Sequence, residues 1–273
     1  MQRAIAVLDS GVGGLTVVKE IMRQLPQEKI LYFGDTARTP YGPRSTAEVV
    51  RFTTEIVHFL MRSQPKMIVI ACNTATAAAQ QIVQEQVSIP VVGVIRPGVR
   101  AAIGRSKTGV IGVIGTEGTI RSGAYTTALH QLSPRLEVIS QACPAFVSLV
   151  EDGDFRSERA RRIVEGLLAP MKRNAMDCLI LGCTHYPFLA DLISEVMGPE
   201  VALISSAEET ARDVSAILHE NNWLASGGET PLHQFYCSGD PHKFRSIALE
   251  WLDKDIRGMP VAWDLTPVDL ARQ

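Results

Sequence analysis

The chain has 273 residues, 46% of them hydrophobic and 21% charged, with a formal net charge of -2. That length suits one large domain or two modest ones and leaves ample material for a core. The near balance of charge argues against a nucleic-acid footprint, which shows as clustered basic excess, and no apolar run approaches the roughly 18 residues of a membrane span. Met1 leads almost directly into the apolar run 4–8 without the pattern of a signal peptide, so a soluble intracellular protein is expected.

The apolar runs predict strands over residues 4–8, 30–33, 67–70, 91–94, 110–114, 136–139, 178–181 and 201–204, with a weaker one at 233–237. Helical patterns fall between them at 16–24, 45–62, 74–86, 123–131, 157–172 and 186–197. Alternation of this kind predicts an α/β fold with mostly parallel sheets covered by helices.

The first strand runs into Asp9-Ser10-Gly11-Val12-Gly13-Gly14. Glycines there let backbone approach a ligand and open a helix whose N–H groups suit a carboxylate or phosphate. The spacing is not G-x-G-x-x-G, which disfavours a nucleotide site. Asp9 as a helix N-cap accounts for the motif about as well. After the second strand comes the polar loop Asp35-Thr36-Ala37-Arg38-Thr39-Pro40-Tyr41-Gly42-Pro43. It reads either as a ligand-facing loop or as a rigid turn before the 45–62 helix, where Ser45 and Glu48 spell a capping box. Tyr41, between Pro40 and Gly42, reads as placed rather than buried.

The third strand ends in Ala71-Cys72-Asn73-Thr74 and the seventh in Gly182-Cys183-Thr184-His185. Each cysteine follows an apolar run and one small residue, and polar side chains follow at once. That pattern describes a buried strand delivering a thiol at the carboxyl end of a parallel sheet, where such sheets meet their ligands. The thiolate is the reactive form, and a helix N-terminus favours it. One such cysteine is usually inert. Two matched ones suggest one sulfur on each face of a substrate. His185 lies in the loop carrying one thiol and is a candidate proton-handling partner. Glu151, in Leu149-Val150-Glu151-Asp152-Gly153-Asp154, reads as part of a solvated acidic turn.

The other cysteines, Cys143, Cys178 and Cys237, read as structural. Five thiols in a long chain do not suggest a disulfide framework. No C-x-x-C pair occurs, and only His185 lies near Cys178 and Cys183, so no metal site is expected.

Residues 5–11 resemble 111–117, an offset of 106, while 183 minus 72 gives 111 for the cysteine units. Similar offsets in the same order predict two similar Rossmann-like α/β domains. Residues 1–97 would form the first, with 208–273 packed back onto it, and 98–207 the second. The boundary falls at Arg96-Pro97-Gly98, which reads as a linker. Two such halves facing each other would bring Cys72 and Cys183 to a shared interdomain cleft.

Five motifs then carry a resemblance. They are Asp9-Ser10-Gly11-Val12-Gly13-Gly14, Asp35 with Pro40-Tyr41-Gly42, Ala71-Cys72-Asn73-Thr74-Ala75, Gly115-Thr116-Glu117-Gly118-Thr119 and Gly182-Cys183-Thr184-His185-Tyr186-Pro187. In type and order they resemble the glutamate racemases of the cofactor-independent aspartate/glutamate racemase superfamily, with Tyr41-Gly42 favouring the glutamate branch. The resemblance implies two α/β domains with the active site between them. It implies Cys72 and Cys183 as the catalytic acid/bases, Asp9 and His185 as their assistants, and Glu151 as a further catalytic candidate. Asp9, Ser10, Pro40, Tyr41, Gly42, Asn73, Thr74, Thr116, Thr119, Thr184 and His185 would hold the substrate. It further implies L- and D-glutamate as ligands, no cofactor, no metal, supply of D-glutamate for peptidoglycan in a bacterial cytoplasm, and a homodimer. No lysine sits in a recognisable Schiff-base setting.

Three rival readings stand beside it. A thiol hydrolase or amidotransferase would use Cys183 as nucleophile and His185 as base, but two residues of separation is poor geometry and Cys72 is left without a role. A non-catalytic binding protein would use the same fold. An aspartate racemase would differ only in substrate.

Overall fold

The computed structural model describes residues 3–227, 230–256, 261–263, 268 and 270. The elements in chain order are β1 (Ile5–Asp9), α1 (Leu15–Gln24), β2 (Ile30–Gly34), α2 (Thr46–Met61), β3 (Met67–Ile70), α3 (Asn73–Gln86), β4 (Val91–Gly93), α4 (Ile95–Arg105), β5 (Val110–Gly115), α5 (Glu117–Arg121), α6 (Ala124–Leu132) and β6 (Glu137–Ala142). There follow α7 (Ala145–Glu151), α8 (Glu158–Leu168), β7 (Cys178–Gly182), α9 (Ala190–Met197), β8 (Ala202–Ser205), α10 (Ser206–Glu220), β9 (His233–Cys237), α11 (Pro241–Ile256) and β10 (Val261–Trp263). The chain divides into two compact units. Residues up to Val94 combine with those from Ala207 onward, and Ile95–Ser206 form the other.

The first unit holds a sheet in the order β10-β9-β2-β1-β3-β4, every pairing parallel. Alternation along β1 divides its side chains between two cores. Ile5 and Val7 pack with Leu15, Val18 and Ile21 of α1, Val214 of α10 and Phe244 of α11. Ala6 and Leu8 pack with Phe52, Ile56 and Leu60 of α2 and Ala79 and Val83 of α3. Helices on both faces make the strands apolar throughout, as a doubly covered parallel sheet requires. The Ser45–Glu48 capping box forms as expected and starts α2.

The second unit holds a parallel sheet in the order β6-β5-β7-β8. This repeats the β2-β1-β3-β4 order of the first unit, so β5 corresponds to β1 and β7 to β3. The α/β reading with two parallel sheets is borne out, and the weak sequence repeat is a repeat of topology. No described helix is long and apolar enough to cross a membrane.

Several elements differ from expectation. Arg96-Pro97-Gly98 is no linker but the first turn of α4, with Pro97 and Gly98 buried. Proline is tolerated there because first-turn N–H groups make no intrahelical bond. The expected 157–172 helix stops at Leu168, and after Pro170 only a 3-10 turn follows at Met171–Arg173. Pro187 likewise makes the start of the expected 186–197 helix a 3-10 turn, Tyr186–Leu189, before α9 begins. The α4, α5, α7, α10 and α11 helices and β10 have no counterpart among the expected elements. Of the tail 208–273, residues 228–229, 257–260, 264–267, 269 and 271–273 lie outside the described residues. In the described part, β9 pairs with β2 in parallel.

Two buried ties fix this later segment to the first unit. Lys66 Nζ lies 2.5 Å from Glu28 Oε2 and donates to the Trp223 carbonyl at 2.7 Å, while Glu28 Oε1 accepts from the Ala225 N–H at 2.7 Å. Removing one member of such a pair strands a buried charge, at a cost of about 3–5 kcal/mol. The second tie is His233, whose Nδ1 accepts from the Ile30 N–H at 3.2 Å. Burial, helped by the charge of Lys29, lowers its pKa to about 4. An unfolded histidine titrates near 6.5, so between these values the unfolded chain binds the extra proton. The contribution of His233 to stability is therefore complete above about pH 6.5 and is lost as pH falls toward 4. Urea unfolding at stepped pH is expected to show a loss of up to about 3 kcal/mol across that window. In His233→Asn, which keeps an acceptor but does not titrate, that loss should shrink.

Candidate active site

In the first unit the loops after β1, β2 and β3 leave the same end of the sheet. Register pairs Asp9 with Gly34 and Leu8 with Ile70, so Asp9-Ser10, Asp35 and Ala71-Cys72 emerge side by side. The Asp9 carboxylate accepts from the Gly11 N–H at 2.9 Å and turns the loop back on itself. It is not the cap of α1, whose N-cap is Gly14. A side chain at Gly14 would come within 2.6 Å of Asp9 Cβ, so only glycine lets the turn pass this close. Tyr32 donates to the Gly11 carbonyl at 2.9 Å from beneath. Burial, then the charges of Asp9 and Cys72, push its phenol well above the usual range, so it keeps the proton that this bond donates.

Cys72 is the N-cap of α3, with extended backbone (φ −71°, ψ 124°) and its sulfur accepting from the Ala75 N–H at 3.5 Å. Its Sγ lies 3.6 Å from Ser10 Oγ. Asn73 and Thr74 open α3 and are buried beside it. N–H groups at a helix start oppose negative charge on such a sulfur.

The 35–43 loop is organised by a buried carboxylate. Asp35 is fully buried, and its Oδ2 accepts from Arg38 Nε at 2.7 Å and from the Tyr41 hydroxyl. Its Oδ1 accepts from Ser238 Oγ at 2.6 Å. Arg38 also pairs with Glu55 of α2 and lies 4.2 Å over the Phe52 ring. Tyr41, read from sequence as placed rather than buried, is only 1% exposed and packs in the same cluster as Cys72. Its flanking glycine and prolines suggested an open turn, but the ring is drawn inward because Asp35 supplies a buried acceptor. Burial, then the charge of Asp35, holds that phenol far above its usual pKa. Pro40 is exposed and follows a cis peptide, and Gly42 is buried.

In the second unit Gly115 of β5 pairs with Gly182 of β7 and Ala142 of β6, which again sets three loops side by side. Thr116 caps α5, accepting from the Thr119 N–H at 3.3 Å, and the two hydroxyls lie 3.1 Å apart. Cys183 Sγ lies 3.8 Å from His185 Nδ1, and His185 Nε2 lies 3.4 Å from Glu151 Oε1. Glu151 is thus the last residue of α7 facing the histidine, rather than part of a solvated turn, although its side chain stays 45% exposed. Its neighbours Asp152, Gly153 and Asp154 made the segment look like surface. Thr184 is buried between Cys183 and His185. Tyr186 donates to the Cys143 carbonyl at 2.8 Å.

All five cysteines are buried thiols. Burial pushes Cys143 and Cys178 up to about 12, which suits inert packing. Sequence reasoning gave no role to Arg38, Ser238, Tyr32 or Tyr125. Arg38 lies within a quoted motif, but Ser238 reaches Asp35 only through the pairing of β9 with β2, which no local signal announces.

Over residues 5–214 the chain matches the Asp/Glu/Hydantoin racemase family. It is 52% identical over 259 residues, 95% of this chain and 96% of the relative, to a glutamate racemase of Bacillus cereus. The crystal structure of glutamate racemase isoform RacE1 from Bacillus anthracis matches with a TM-score of 0.92 and 48% identity, covering 98% of each chain. The glutamate racemase of Francisella tularensis, solved in complex with D-glutamate, matches with a TM-score of 0.91 and 37% identity, covering 100% of this chain and 99% of that one. The chain belongs to the Asp/Glu/Hydantoin racemase family and is an amino-acid racemase, an isomerase.

The Asp35 cluster yields a direct test. Asp35→Asn removes the buried charge that faces Arg38 and turns one of the two acceptor oxygens shared by Arg38, Tyr41 and Ser238 into a donor. It is expected to lower stability by about 2 kcal/mol in urea unfolding. Tyr41→Phe, which deletes one donor and keeps the ring, should cost about 1 kcal/mol.

Proposed function

We propose that the chain interconverts L- and D-glutamate by proton transfer at the α-carbon, with Cys183 and Cys72 as the two bases and no cofactor. One observation supports this above the others. The two sulfurs follow corresponding strands, β7 and β3, of two sheets with the same strand order. Each has a proton-handling or hydroxyl neighbour, His185 for Cys183 and Ser10 for Cys72. Relatives named glutamate racemase support the choice of glutamate over aspartate.

Inverting a stereocentre requires a proton to leave one face and another to arrive on the opposite face, so the reading needs the substrate between the two sulfurs. With L-glutamate, Cys183 as thiolate takes the α-proton and becomes a thiol. The Cys72 thiol then gives its proton to the other face and becomes a thiolate. D-glutamate runs the reverse. His185, oriented by Glu151, serves Cys183, and Asp9 serves Cys72. The charge that grows on the α-carboxylate calls for fixed donors, a role assigned to Ser10, Asn73, Thr74 and Thr184. Pro40, Tyr41, Gly42, Thr116 and Thr119 complete substrate binding. The proposal extends to a homodimer in a bacterial cytoplasm supplying D-glutamate for peptidoglycan.

Incubation with L-glutamate in deuterated water, followed by NMR and a chiral assay, should show loss of the Cα proton together with appearance of D-glutamate. No exchange in folded protein would exclude glutamate and bring aspartate forward. A covalent adduct with glutamine, seen by mass spectrometry, would instead favour the thiol hydrolase. Cys72→Ser and Cys183→Ser should each reduce net racemisation by at least about a hundredfold. Near-normal turnover in either variant sinks the two-thiol mechanism.

A further inference from the structure

The two thiols are mounted differently. Ala71 precedes Cys72, and the turn at Gly14 packs against it, where an added Cβ would lie 3.0 Å from Ala71 Cβ. Gly182 precedes Cys183, and the space a side chain would fill there is closed by the Ile114 carbonyl oxygen of β5, 2.7 Å from a Cβ built on Gly182, and by the ring of Tyr125 of α6, whose Cε2 lies 3.0 Å from it. Tyr125 is only 2% exposed and hydrogen-bonds to Ser206, the residue directly after β8. The β7 and β8 strands are paired through Leu181 and Ser205. One ring therefore touches the residue before the thiol and is tied by its hydroxyl to the end of the neighbouring strand.

We infer that Tyr125 is a positioning residue for Cys183, fixing the Gly182–Cys183 peptide through its ring and its bond to Ser206, whereas the residue before Cys72, Ala71, packs against the turn at Gly14. This rests on the reading of Cys183 as the base that acts on L-glutamate. Burial, then the charge of Cys183, raises the Tyr125 phenol above its ordinary range, so it stays a neutral dipole beside the sulfur. Misplacing a proton acceptor by a fraction of an ångström slows proton transfer strongly.

The uneven mounting gives the inference a distinctive signature. The equilibrium between enantiomers is fixed at unity, so any variant must change kcat/KM equally in both directions. Which proton transfer limits the rate is not fixed in this way. Tyr125→Phe keeps the ring and removes the tie, and Ser206→Ala removes the other end of the same bond. Both are compared with the parent using 2-deuterated L- and D-glutamate, with circular dichroism and unfolding midpoints to confirm the fold. Expected is a roughly tenfold or greater fall in kcat/KM. The deuterium isotope effect should rise for L-glutamate, whose proton goes to Cys183, and not for D-glutamate. Unchanged kcat/KM, a fall with isotope effects unchanged in both directions, or a rise on the D side would each overturn the inference. Near-normal turnover in Cys183→Ser would overturn the two-thiol reading itself, and this inference with it. An inactive Cys183→Ser beside unchanged isotope effects in Tyr125→Phe and Ser206→Ala overturns the inference alone.

Discussion

Parallel strand direction is the constraint on which the candidate site depends. In each unit every paired strand runs the same way, so every strand-to-helix loop on the central strands opens at one end. Reversing β3 would carry Cys72 to the far end from Asp9, and reversing β7 would separate Cys183 from Thr116. The interiors of these strands are apolar because helices cover both faces. Polar and reactive side chains are therefore confined to the strand ends, the first positions where water, helix N–H groups or neighbouring hydroxyls can satisfy them.

What holds those ends still is a set of buried polar contacts rather than loop rigidity alone. Asp35 shows the logic. A buried carboxylate is costly unless charge and hydrogen bonds surround it, and Arg38, Tyr41 and Ser238 do so from three directions. The same carboxylate thereby joins the exits of β2 and β9 to the loop that carries Tyr41, and Arg38 extends the connection to α2 through Glu55. In the second unit a line from Cys183 through His185 to Glu151 spans two elements in a similar way.

Much of this was legible in the residues. The apolar runs of β1, β3, β5 and β7 announce central strands because nothing polar can occupy a sheet covered on both sides. The two cysteine motifs stand out because each breaks such a run at its carboxyl end. What escaped the sequence is what depends on distant partners. Pro97 and Gly98 looked like punctuation, yet a first helical turn accepts proline. The β9 strand looked weak because it begins with His233 and Gln234, and the partner that suits a buried imidazole there, the Ile30 N–H, lies some two hundred residues away. Tyr41 looked exposed because its buried acceptor lies six residues earlier in sequence. Tyr125 looked like any aromatic on a helix, since neither Gly182 nor Ser206 is near it in sequence.

The discontinuity of the first unit bears on how the protein matures during synthesis. All four strands of the second unit lie within one uninterrupted stretch, so that sheet can close as soon as the stretch has left the ribosome. The first unit cannot finish in the same way, although its β1 to β4 are made earliest. Glu28 and Lys66 wait for the Trp223 and Ala225 backbone that completes their cage, and until His233–Cys237 is made, β2 is an open sheet edge and the Ile30 N–H lacks its imidazole acceptor. An open edge of this kind is a template for pairing with another chain. The part of the protein translated first is thus the part left vulnerable longest, and a message cut short before β9 would release a chain with one finished sheet and one adhesive one.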